Sequence, residues 1–146
     1  MFIPARIIPM PATSSNPKVY ASAVGRRKSS IVVARLIPGS GKVVVNGQPA
    51  EIYFNHNPAT LVKLDRPFQT TAVTKYDVVV TARGGGNIGQ LDAVVLAISR
   101  ALVKIKEDHR SPLRKLGLLT RDSRIRQRRM VGMGGKSRRR KQSPKR

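Results

Sequence analysis

Gly84-Gly85-Gly86-Asn87-Ile88-Gly89, running on through Gln90 to Ile105, is the stretch that decides how this chain folds. After the glycines, Ile88, Leu91, Val95, Ile98, Leu102 and Ile105 recur at steps of 3, 4, 3, 4 and 3, the signature of one apolar helix face about five turns long. Just before them, residues 75–83 carry Val78-Val79-Val80, a short apolar run suited to an inner strand. A strand, a glycine turn and a long amphipathic helix therefore form the centre of a mixed α and β body.

Working outward, residues 29–37 are rich in β-branched side chains, Pro38-Gly39-Ser40-Gly41 is turn chemistry, and residues 42–45 are again β-type, followed by the turn pair Asn46-Gly47. This pattern predicts an antiparallel hairpin. Residues 49–54 and 58–64 predict two short helices, the second capped by Asn57, with Pro58 at its first position and Asp65-Arg66-Pro67 ending it. Residues 112–116 predict another, closed by Gly117. No internal repeat is visible.

The glycine run also fits the G-x-G-x-x-G spacing of dinucleotide sites, and in the right strand-to-helix context. A Rossmann unit needs a second parallel strand after that helix, with an acid about twenty residues on. Here the helix runs instead into Glu107-Asp108 and a further short helix. The preferred reading is a tight turn with close backbone approach, whose exposed helix-start amides could hold an RNA phosphate.

The 146 residues carry 29 Lys plus Arg against 7 Asp plus Glu, a formal charge of +22. The natural partner of such a chain is a polyanion. Residues 1–120 and residues 121–146 each hold a net +11, so the last fifth of the chain has half the charge. That last segment has few apolar residues and a long set of cations: Arg121, Arg124, Arg126, Arg128, Arg129, Arg138, Arg139, Arg140, Lys141, Lys145 and Arg146. Alone in water it should be disordered, ordering on a path lined by phosphates. It lacks aromatics, so its binding should follow phosphate geometry more than base sequence. Residues 1–18, with Pro4, Pro9, Pro11 and Pro17, read as an arm, leaving residues 19–120 as the folding body.

Arg26, Arg27 and Lys28 are three adjacent cations beside a strand. They are either a solvated edge or, as the scarcity of acids favours, phosphate contacts. Catalysis finds little support. The carboxylates are scattered, only Glu107 and Asp108 are neighbours, and His56 and His109 stand without a nucleophile or carboxylate motif. With no cysteine and two distant histidines, a structural zinc site lacks ligands, and no apolar run is long enough to span a bilayer. No catalytic residue, metal or cofactor is expected.

Eight spaced motifs resemble one family. They are Gly25-Arg26-Arg27-Lys28-Ser29 with Val33-Ala34-Arg35; Pro38-Gly39-x-Gly41-Lys42; Val45-Asn46-Gly47; Gly84-Gly85-Gly86-x-x-Gly89-Gln90; Ser99-Arg100-Ala101-Leu102; Leu113-Arg114-Lys115; Thr120-Arg121-Asp122-x-Arg124; and the terminal Lys145-Arg146. In order and spacing, from about Tyr20 to Arg146, they resemble small-subunit ribosomal protein nine, the universal "S nine" family in its bacterial or organellar form.

The resemblance implies an α/β body, a four-stranded sheet backed by helices as in the second domain of ribosomal protein S five, with a left-handed crossover and a long extended basic tail. It implies binding to 16S-type rRNA in the head of the small subunit beside neighbouring head proteins, as a single copy and away from membranes. The cytoplasmic ribosome of a bacterium is expected, with a plastid or mitochondrial ribosome as the alternative. The rRNA contacts would be Arg26, Arg27, Lys28, Arg83, Gly84, Gly85, Gly86, Arg121, Arg124, Arg126, Arg128, Arg129, Arg138, Arg139, Arg140 and Lys141. Lys145 and Arg146 would meet the anticodon stem-loop of peptidyl-site tRNA. Bacterial members commonly end in Pro-Gln-Phe-Ser-Lys-Arg, whereas this chain ends in Lys141-Gln142-Ser143-Pro144-Lys145-Arg146, and Gly132-Met133-Gly134-Gly135-Lys136 is richer in glycine than their tails.

Two rivals stand beside this reading. A histone-like DNA-condensing protein is suggested by Ser143-Pro144-Lys145-Arg146, and a dinucleotide-dependent enzyme by Gly84 to Gly89.

Overall fold

The computed structural model describes residues 19–73 and 76–129. The arm over residues 1–18 and the tail cations Arg138, Arg139, Arg140, Lys141, Lys145 and Arg146 lie outside the described residues.

Five strands, β1 (Ala21–Arg27), β2 (Ser30–Pro38), β3 (Val43–Val45), β4 (Gln48–Pro49) and β5 (Tyr76–Arg83), form one mixed sheet in the order β1-β2-β5-β3-β4. Four helices, α1 (Ala50–Tyr53), α2 (Pro58–Thr71), α3 (Asn87–Ile105) and α4 (Arg110–Lys115), accompany it, with a 3-10 turn at Glu107–His109. The sheet has five strands, not the four expected. Asn46 and Gly47, both at positive φ, turn β3 back sharply enough to pair Gln48–Pro49 as a short extra edge.

The expected hairpin across Gly39–Gly41 does not form. β5 lies between its two arms, antiparallel to β2 and parallel to β3. Asp77 explains the detour, because its Oδ1 accepts the backbone N–H groups of Ser40, Gly41 and Lys42 at 2.8–2.9 Å. The loop is thereby folded over the start of β5, and β3 emerges on the far side. The actual hairpin partner of β2 is β1, whose small residues lack the β-branched signal of a strand. Its alternation is strict: Ala21, Ala23 and Gly25 are buried, while Ser22, Val24 and Arg26 are exposed.

α3 matches the expected helix but is buried well beyond one stripe. Ala93, Val94, Ala97 and Ala101 join Leu91, Ile98 and Leu102 in the core, while Ile88, expected on the buried face, is 73% exposed at the helix start. Small residues let the helix approach β1 closely. A Cβ on Gly25 would stand 1.9 Å from the Ala93 carbonyl oxygen, so only glycine fits there. Leu36, Val32, Val78 and Val80 fill the rest of the sheet side, each side chain contributing about 1.5–3 kcal/mol.

Pro67 does not end α2, which continues to Thr71. An interior proline forfeits a backbone hydrogen bond at a cost of about 3 kcal/mol, but Leu64 and Pro67 are buried and Phe68 packs against the core, which offsets it. Asn57 caps the helix as expected, its Oδ1 accepting the Ala59 N–H at 3.0 Å. α4 closes in a Schellman arrangement. Gly117 adopts a left-handed conformation, its N–H donating to the Arg114 carbonyl and that of Leu118 to the Leu113 carbonyl, each at 3.0 Å.

Candidate nucleic-acid interface

β1 and β5 finish, and β2 and α3 begin, at one end of the sheet. That end collects cations that are far apart in sequence. Arg26 pairs with Ile31 across β1 and β2, and Ile31 pairs with Arg83 across β2 and β5. All three are exposed and share the sheet face opposite the helices. Two strand spacings put the arginine backbones about 10 Å apart. Lys28, at positive φ in the β1–β2 turn, and the Gly84-Gly85-Gly86 turn lie beside this row. Lys28, Ser30, Gly85, Gly86 and the first turn of α3 line a shallow pocket of about 450 Å³.

Arg27 goes the other way. Continuing the inward alternation of β1, its side chain is only 12% exposed and turns toward α3. Its Nη2 lies 2.9 Å from Asp122 Oδ2, its Nε 3.5 Å from Asp92 Oδ2, and its Nη1 donates to the Arg124 carbonyl at 2.5 Å. Lys63 of α2 completes the cluster on Asp92. Arg124 also forks onto Asp122, at 2.8 Å from Nη2 to Oδ2. These hydrogen bonds from Arg124, helped by Arg27, hold the Asp122 carboxyl well below the usual carboxylate range, and Asp122 in turn raises Arg124. The segment leaving the body is thus tied down on the helix side by Arg27, the residue after Arg26 in β1. Beyond it Arg126, Arg128 and Arg129, like Arg121, are exposed and belong to no helix or strand.

The glycine turn is braced from beneath by polar groups that no sequence motif announced. Asn46 copies a β-ladder residue with its side chain: Oδ1 accepts the Ala82 N–H at 2.9 Å and Nδ2 donates to the Ala82 carbonyl at 3.0 Å. Nδ2 also reaches the Tyr53 hydroxyl. Tyr53 donates to Gln90 Oε1 at 2.7 Å, and Gln90 Nε2 donates to the Gly84 carbonyl at 3.1 Å. Along the outer edge of β1, Arg100 and Lys104 of α3 donate to the carbonyls of Val24 and Ser22, which holds these two side chains against the strand.

Nothing at this end resembles a reaction centre. Among the described residues no group of His, Asp and Glu is arranged to hold a metal ion, and no helix is long and apolar enough to cross a membrane. After α3 the chain runs into the 3-10 turn and α4, with no parallel strand among the described residues to complete a dinucleotide unit.

An α+β body that presents exposed cations at one sheet end, with its nearby carboxylates already paired, has the architecture of a structural protein rather than of an enzyme. Residues 25–146 match the family model for ribosomal protein S9/S16. The small ribosomal subunit protein uS9 of Picosynechococcus sp. (strain ATCC 27264 / PCC 7002 / PR-6) is 46% identical over 125 residues, 85% of this chain and 91% of the relative. Those of Synechococcus sp. (strain CC9311) and Synechocystis sp. (strain ATCC 27184 / PCC 6803 / Kazusa) are 44% and 43% identical, over 83% and 85% of this chain and 90% and 91% of theirs. The chain belongs to the ribosomal protein S9/S16 family, a structural component of the small ribosomal subunit and not an enzyme.

Proposed function

We propose that the chain binds 16S-type rRNA in the head of the small subunit and that its C-terminal tail reaches peptidyl-site tRNA. The observation that carries the first part is the row Arg26–Ile31–Arg83 with Lys28 and the glycine turn, beside the point where the Arg121–Arg124 segment leaves the body. The mechanism is charge neutralisation. Guanidinium and ammonium groups let RNA strands approach one another, with a log-log salt slope of about 0.7–0.9 per phosphate neutralised.

In this reading residues 1–18 are an arm, residues 19–120 the rRNA-binding body and residues 121–146 an extended tail. The parallel β3–β5 pair, joined through α1 and α2, is read as the left-handed crossover of the S five second-domain type. Arg121, Arg124, Arg126, Arg128, Arg129, Arg138, Arg139, Arg140 and Lys141 anchor the tail on rRNA, and Lys145 and Arg146 meet the tRNA anticodon stem-loop. The chain acts as one copy among neighbouring head proteins in the cytoplasmic ribosome of a bacterium. Its cyanobacterial relatives fit a plastid ribosome equally, and fractionation of the tagged chain separates the two.

Co-sedimentation of tagged full-length protein after a high-salt wash tests the assembly role. Retention in the small-subunit peak is expected, and loss to the top of the gradient or migration with DNA would overturn it. Deleting Lys145 and Arg146 should leave that retention intact and weaken peptidyl-site tRNA binding. Unchanged tRNA affinity in the truncated subunit removes the tip's role.

A further inference from the structure

We propose that the turn from β5 into α3 holds one phosphodiester of the RNA backbone, in a site built by the Asn87, Ile88 and Gly89 amides, the Ser30 hydroxyl and Lys28; this rests on the RNA-binding reading above.

The start of α3 is a helix end without a cap of its own. The first intrahelical bond is from Gln90 N–H to the Gly86 carbonyl at 2.9 Å, which leaves the three preceding amides without helical acceptors. Gly86 at the cap position supplies no side-chain acceptor, and no acid lies in the first turn. α2 shows the contrast, for there Asn57 fills this role. Nineteen aligned peptide units stand behind this uncapped end and favour negative charge at it.

Ser30 gives a second, independent indication of a ligand. It is fully buried, and its hydroxyl has no hydrogen-bond partner among the described residues. That hydroxyl is directed at the turn: a Cβ on Gly85 would lie 2.0 Å from Oγ, and one on Gly89 2.9 Å. Glycine at both positions keeps the backbone low over Ser30. A buried hydroxyl is seldom left unpaired in a folded protein, and an anion seated on the turn supplies the missing acceptor. Lys28 lines the same pocket and brings the neutralising charge.

The lining favours a phosphate within a chain over a free nucleotide. It contains no aromatic ring to stack a base and no carboxylate to hold a ribose, only Lys28, Ser29, Ser30, Gly85, Gly86, Asn87, Ile88 and Gly89. The hydrogen bond from Gln90 to the Gly84 carbonyl keeps the turn in place before the anion arrives.

Gly86→Asp tests the site. Gly86 is extended, at φ −124° and ψ 172°, and no atom of the described residues lies within 4 Å of an added Cβ, so aspartate fits as an N-cap whose carboxylate occupies the amides itself. Labelled full-length protein is titrated with a short RNA stem-loop and, separately, with inorganic phosphate, following the Ile88 and Gly89 amide resonances. Both resonances should shift with either titrant in the wild type. In Gly86→Asp they should stay still and RNA affinity should fall about three- to tenfold, while the melting temperature holds or rises. Gly86→Asn, a neutral cap of the same shape, should lose less.

Shifts confined to the arginine-rich segment overturn the site. Shifts with inorganic phosphate but not with RNA overturn its assignment to the RNA backbone. Co-sedimentation of the wild type keeps the two proposals apart, because silent amides in a protein that enters the subunit refute this site alone.

Discussion

Arg26 and Arg27 are neighbours in sequence and lie on opposite sides of the sheet, and the two sides treat charge differently. On the helix side Arg27 is nearly buried and meets Asp92 and Asp122, so its charge is spent holding α3 and the departing chain to β1. On the open side Arg26 and Arg83 flank Ile31, and the carboxylate that strand parity places on that face, Asp77, lies at the opposite end of β5, occupied by three amides. A net charge of +22 therefore overstates how uniform the cations are. Some brace the fold, and others stand exposed on the face where the RNA contact is proposed.

Forcing the helix side apart should have the largest effect. Gly25→Val puts a side chain where the Ala93 carbonyl stands and should cost about 3 kcal/mol, read as a fall in the urea midpoint. Arg27→Ala comes next, at about 2 kcal/mol, because Asp92 and Asp122 lose their shared partner at a partly buried site. A denaturant midpoint for Arg27→Ala equal to that of the wild type would show that the cluster does not hold the departing segment.

The long helix is readable because a helical period sustained over nineteen residues outweighs local noise, and the Asn57 and Gly117 caps because their chemistry is local. What failed was long-range. No local signal in residues 38–45 reveals that Asp77, more than thirty residues away, captures the loop and lets β5 slip between the expected hairpin arms. Arg27 reads as one group with Arg26 and Lys28 as long as β1 is not recognised as a strand. Once Ala21, Ala23 and Gly25 are seen to alternate inward, the same parity puts Arg27 inside. The Asn46–Tyr53–Gln90 brace had no usable signal, since three polar residues spaced over 45 positions meet only in the fold.

Acid should loosen the helix side selectively. The folded-state pKa of Asp122 is lowered by Arg124 and Arg27, so below the ordinary carboxylate value of about 3.9 the unfolded chain takes up its proton first. The stabilisation is complete above that value and is lost as pH falls through the folded-state pKa. Thermal melts of the wild type should therefore drop steeply below about pH 4, and Asp122→Asn should flatten that drop. Identical pH profiles would mean that the carboxylate is not clamped. A smaller loss, about 1–2 kcal/mol at neutral pH, is expected for Tyr53→Phe, which leaves Gln90 Oε1 without its donor.

The open side should respond least in stability. Arg26→Ala and Arg83→Ala remove exposed side chains that make no hydrogen bond or ion pair among the described residues, so each should move the unfolding free energy by no more than about 0.5 kcal/mol. Their effect belongs to binding. If each guanidinium neutralises one RNA phosphate, the double variant should lower the log-log salt slope of RNA affinity by about 1.4–1.8. Arg100→Ala is the control, because that cation is held at the β1 edge on the helix side and not on the open face, and its loss should leave the slope almost unchanged. Equal slopes in the double variant and the control would mean that the open side is merely a solvated edge, and that RNA affinity resides in the tail alone.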